Sequence, residues 1–147
     1  MFVYYHARTP EYIQEFVEWC CVELGIDKLR GWIDFKWHYG ELDDNAFGLC
    51  TGDSREISIW VATRQFGESI SYEDKLKTTA HELVHARQYL KRELTQDPDE
   101  WDLPVSRWKG RKVHYGKGKY AENDTPWERE ARRWEEKLFK KWIEEEV

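Results

Sequence analysis

Residues 81–85 read His81-Glu82-Leu83-Val84-His85. On a helix, residues four apart lie one turn above each other on one face, so both imidazoles can reach one metal ion. The glutamate between them is a base placed to take a proton from a water that the ion has acidified. Chance gives an H-E-x-x-H match in about 2% of chains with this His and Glu content. Two histidines do not complete a hydrolytic site, which has three protein ligands and an open position. The other histidines are His6, His38 and His114, and PWEREA (126–131) supplies Glu128 and Glu130. His and Glu donors suit Zn2+ best.

These residues need elements to hold them. A helix is predicted from about 72 to 93, with Ser71 as N-cap and Asp74 three residues on. At about 100° per residue, Leu76, Ala80, Leu83, Val84 and Leu90 share one stripe, and His81 and His85 fall on roughly the opposite side. The histidines therefore face something other than the core. A final helix opens after Asn123, with Asp124 or Thr125 as cap and Pro126 in the first turn. Its apolar stripe is Trp127, Ala131, Trp134, Leu138 and Trp142. Glu128 and Glu130 flank that stripe symmetrically, so periodicity does not choose between them. Both are also carboxylates that a helix N-terminus favours without any metal.

Upstream, residues 10–24 have helical spacing. WIDFKWHY (32–39) alternates like a strand, and 46–50 and 56–63 read as two more strands around the turn Thr51-Gly52-Asp53-Ser54. Gln96 to Pro104 is an acidic, proline-containing surface loop. Residues 105–116 read as a hairpin turning near Lys109-Gly110.

Composition sets limits on partners. The 147 residues fit one domain, and 40% hydrophobic with 35% charged residues marks a soluble, globular chain. Nine Trp and eight Tyr are expected chiefly to build the core. No apolar run approaches the roughly 20 residues of a membrane span, and the start MFVYYHARTP lacks signal-peptide features. Cys20, Cys21 and Cys50 make a poor disulfide framework, which points to the reducing cytoplasm. The net charge of −6 argues against general attraction to nucleic acid. Residues 107–119 depart from this: Arg107, Lys109, Arg111, Lys112, Lys117 and Lys119 stand with no acidic residue among them. They form a solvated hairpin or a local contact for an anionic partner such as nucleic acid.

HELVH, a basic W-K-G hairpin, a tyrosine and then PWEREA resemble the zincin-type metallopeptidases of phages and bacteria, distant relatives of the SprT-like and ImmA/IrrE-like groups. The resemblance covers roughly residues 70–135. It implies an α+β, single-domain minimal zincin: an N-terminal helix, a small mostly antiparallel sheet, the helix bearing the motif, a hairpin and a C-terminal helix. It implies that this last helix gives a glutamate as third ligand, with a small residue three positions on so that the helices close up. Glu128 followed by Ala131 fits. The chain departs from SprT-like proteins in lacking a third histidine soon after the motif. It departs from the metzincin continuation in having Gln88 and Lys91.

The implied activity is peptide-bond hydrolysis in a protein or peptide substrate, with zinc on His81, His85 and Glu128 and with Glu82 as base. Tyr120, backed by His114, is the candidate donor to the developing oxyanion, although packing serves Tyr120 equally well. In zincins the edge strand beside the active helix commonly holds the peptide by main-chain pairing; that strand is expected within 56–63. The alternative, from another class, is a non-catalytic zinc module with a regulatory or nucleic-acid-associated role, as for SprT-like proteins acting on DNA-bound proteins. An intact Glu82 argues against it, because a structural ion needs no base.

Overall fold

The computed structural model describes residues 1–96, 105–114 and 124–146. The chain opens with β1 (Phe2–Tyr5), α1 (Glu11–Glu23) and β2 (Trp32–His38). Next come β3 (Gly48–Gly52), β4 (Glu56–Ala62) and a small hairpin of β5 (Arg64–Gln65) and β6 (Glu68–Ser69). The remaining elements are α2 (Tyr72–Leu90), β7 (Leu94–Gln96), β8 (Val105–Trp108), β9 (Arg111–His114) and α3 (Pro126–Glu146). The class is α+β, as expected. Among the described residues no helix is long and apolar enough to cross a membrane.

The main sheet has the order β1-β2-β4-β3. β1, β2 and β4 run parallel, and only β3 is antiparallel. The sequence led us to expect mainly antiparallel pairing, which holds for β3–β4 and for both smaller sheets. β1 and β2 are parallel because α1 carries the chain back between them, and β2 and β4 are parallel because the chain returns along β3 before entering β4; β1 is too short to read by alternation. β4 is therefore an interior strand. The free edge beside α2 is β3, which corrects the expectation of an edge within 56–63.

Alternation does place the core. Ile33, Phe35 and Trp37 of β2 and Ile57, Ile59 and Val61 of β4 are buried against Phe16 and Val17 of α1 and Leu76, Ala80 and Leu83 of α2 in one cluster. The cluster includes Trp127, Ala131 and Leu138, the buried side of α3. α2 is thus covered on both sides, by the sheet and by α3. At its far end α3 meets α1: Trp142 packs 5.2 Å from Phe16 and 5.3 Å from Trp19 between ring centres. There Lys141 donates to Glu23 (2.7 Å) and Trp19 Nε1 to Glu145 (2.9 Å).

Local chemistry explains the helix ends. Ser71 Oγ accepts from the Asp74 amide at 3.1 Å, the predicted cap. α2 stops at Leu90 rather than 93, because Arg92 adopts φ 58° and the Glu93 amide turns back to the Gln88 carbonyl. Thr125 caps α3, its Oγ1 accepting from the Glu128 amide at 3.4 Å. Lys109 (φ 52°) and Gly110 (φ 85°) make the predicted two-residue turn of the β8–β9 hairpin. The acidic loop beyond Gln96, as well as Lys117, Lys119 and Tyr120, lies outside the described residues.

Candidate metal centre

α2 and α3 run antiparallel, since Lys77 pairs with Glu136 (3.0 Å), His81 with Glu135 and Gln88 with Glu130. Ala131 is fully buried, and its small side chain lets the helices close. The face of α2 opposite the sheet, where His81 and His85 lie, is therefore turned toward α3. His85 and Glu82 are buried, and His81 and Glu128 are half-buried.

Three groups converge there. His81 Nε2 and His85 Nε2 stand 3.2 Å apart. Glu128 Oε2 is 3.0 Å from the first and Glu128 Oε1 2.9 Å from the second. A tetrahedral ion with bonds of about 2.0–2.1 Å needs its ligand atoms about 3.3–3.4 Å apart, so small outward shifts seat it. His81, His85 and Glu128 could hold a metal ion. Glu130 does not reach the cluster; it accepts instead from Gln88 Nε2 at 3.2 Å. Of the two carboxylates that periodicity left open, the geometry brings Glu128 to the histidines.

The donor set fits a cation for a second reason. His81 Nδ1–H donates to Glu135 Oε1 at 2.8 Å, and His85 Nδ1–H donates to Gln88 Oε1 at 2.8 Å. Each neutral ring then turns its Nε2 lone pair toward the other and toward Glu128. Such an arrangement of lone pairs and negative oxygens repels itself unless positive charge lies among them.

The acid–base properties follow that demand. Burial by itself pulls the His81 imidazolium down, but hydrogen bonds to Glu128 and Glu135 outweigh it and raise the pKa from 6.5 to about 10. His85 is raised as well: burial opposes the charge, while Glu128 and Glu82 favour it. Burial pushes Glu128 upward, yet its bonds to His81 and His85 hold it below the usual carboxylate range. Glu82 is raised by burial, against the pull of the two histidines.

A cleft opens on each side of the cluster. One, of about 270 Å³, is lined by Phe47, Gly48, Thr78, His81, Glu82 and Arg132, with Glu135 at its wall. The other, of about 160 Å³, is lined among others by Cys50, His85, Tyr89, Ser106 and Glu128. β3 borders both, through Gly48 and Cys50. The three cysteines are free, with Cys20 and Cys21 buried in α1.

His81, Glu82 and His85 lie together as helical spacing predicts, and Glu128, which the resemblance singled out, joins the two histidines. Tyr120 lies outside the described residues, and His114 is placed only as the last residue of β9. Sequence reading missed Gln88, Glu135 and Arg132. One signal was available: Glu128, Arg132 and Glu135 are four and three apart, one helical face. The chain matches no family model, no curated protein and no solved structure.

Proposed function

We propose that this protein is a zinc metallopeptidase, with Zn2+ on His81, His85 and Glu128 and with Glu82 as general base. The observation that carries this reading is the convergence of two imidazole Nε2 atoms and one carboxylate beside a buried Glu82 that lines an open cleft. Bound Zn2+ would polarise the scissile carbonyl and acidify a water. Glu82 is placed to take the proton of a water attacking the scissile carbonyl and to pass it to the leaving amine. Burial, by lifting the Glu82 pKa, brings this carboxylate nearer the working pH and makes it a better proton carrier. Glu135 and Gln88 keep the histidine Nδ1 atoms occupied, so that Nε2 is the free donor. Arg132, whose guanidinium stands 3.5 Å from Asp124 Oδ1, also lines the Glu82 cleft.

The test is hydrolysis of casein and of a fluorogenic peptide library by zinc-loaded protein. Glu82→Gln is expected to bind one Zn2+ as tightly as the wild type and to lose about 10²- to 10⁴-fold in rate. Equal rates in the two proteins would remove the mechanism, and a zinc-loaded wild type inert on every peptide would favour a regulatory zinc module. The exposed Arg111 and Lys112 with Lys109 on the β8–β9 hairpin support an additional contact with an anionic partner.

A further inference from the structure

Gln88 is fully buried between α2 and α3, three residues beyond His85. A buried amide must place one acceptor oxygen and two N–H donors. Its Nε2 lies 3.0 Å from the carbonyl oxygen of Trp127 and 3.2 Å from Glu130 Oε1. Both of those atoms accept, so the amide nitrogen must face α3. Its oxygen is thereby turned toward His85, 2.8 Å from Nδ1. An amide oxygen cannot donate; Nδ1 therefore keeps its proton, and Nε2, beside Glu128, is the nitrogen left to give a lone pair to a metal ion.

From this chain of contacts we infer that Gln88 is a positioning residue through which the first turn of α3 dictates the tautomer of His85. The inference rests on the metal-centre reading and deepens it. It also gives the two carboxylates of PWEREA separate tasks: Glu128 reaches the cluster directly, and Glu130 holds the amide that orients His85. The same helical turn supplies the third ligand and prepares the second, so docking of α3 completes both together. His81 differs, since Glu135 holds it with no amide between them.

The experiment measures Zn2+ affinity by chelator competition, together with ring-nitrogen NMR of His85 in the zinc-loaded protein. The wild type is expected to show a protonated Nδ1 and a metal-bound Nε2. Gln88→Leu, similar in size, is expected to bind Zn2+ about 10- to 100-fold more weakly and to lose the fixed Nδ1–H signal. Glu130→Ala leaves the buried amide in place and serves if Gln88→Leu fails to fold. It is expected to weaken binding about 3- to 10-fold, while Glu130→Gln, which keeps an acceptor oxygen, restores it. Metal on Nδ1 of His85, or affinity within twofold of wild type in both Gln88→Leu and Glu130→Ala, overturns the inference alone. A wild type that takes up no Zn2+ overturns the metal centre and this inference with it.

Discussion

Adding one methyl group at Gly48 tests how β3 holds Glu82, the proposed general base. A Cβ built there meets Thr78 Cγ2 at 2.7 Å, Glu82 Cγ at 3.0 Å and the Trp60 carbonyl oxygen at 3.0 Å. Comfortable carbon contacts are about 3.5–4.0 Å, so Gly48→Ala lacks roughly 0.5–1 Å of room. The Trp60 carbonyl belongs to the ladder of β4 and yields little. The displacement therefore falls on α2, at Thr78 and Glu82. Overpacking of this kind costs about 1–3 kcal/mol, a fall in Tm of several degrees. Moving a catalytic group by about 1 Å costs up to about 10²-fold, so kcat/KM on a peptide cleaved by the wild type is expected to drop about 10- to 100-fold. Zn2+ affinity is expected to fall less steeply than kcat/KM, because Glu82 Cγ, and neither histidine, is among the three nearest atoms the new methyl meets. Peptide kinetics, chelator competition and calorimetry read the three quantities. Retention of at least half the wild-type kcat/KM, with Tm within a degree, would refute the idea that β3 sets the position of Glu82.

Glu135→Leu is expected to weaken Zn2+ binding about 10- to 100-fold in the same competition assay, since it frees His81 Nδ1; unchanged affinity would show that the contact orients nothing. Stability of the metal-free protein should depend on pH. His81, raised from 6.5 to about 10, contributes fully below pH 6.5 and loses that contribution as pH rises to 10. Glu128, lowered from 4.5, contributes fully above 4.5 and loses it as pH falls further. The Tm without metal is thus expected to be highest between pH 4.5 and 6.5, and one that is flat from pH 6 to 10 contradicts this. Neutralising Lys109, Arg111 and Lys112 together is expected to lower binding to short duplex DNA at low salt and to flatten its salt dependence; no change in either would end the anionic-partner reading.

The part of the centre that lies within one helix was legible in the sequence. His81, Glu82 and His85 are fixed by helical spacing alone, and Ser71 announces the start of α2. The third member of the cluster was legible only as a pair, because Glu128 and Glu130 sit symmetrically about the stripe of α3. What separates them is the rotation of α3 against α2, a long-range quantity set by Ala131, Trp127 and Leu138 packing together. Gln88 and Glu135 were hidden for the same reason, as each acquires its task only across the helix interface. β1 escaped notice because four residues give too little alternation. Without β1 the parallel β1–β2 pair could not be derived, and the place of β4 between β2 and β3 rests on long-range pairing that no single strand's alternation carries.

In mechanical terms α3 is a beam seated along α2 and anchored at two ends. One is the ligand-bearing end at Glu128; the other is Trp142, wedged between Phe16 and Trp19 of α1. The fourteen residue steps from Glu128 to Trp142 span about 21 Å at 1.5 Å per residue. Over that length, a tilt of about 3° at the Trp142 support carries the Glu128 end through about 1 Å, the scale on which a metal site loses its fit. The aromatic wedge on α1, remote from the cluster, therefore helps to keep His81, His85 and Glu128 in register.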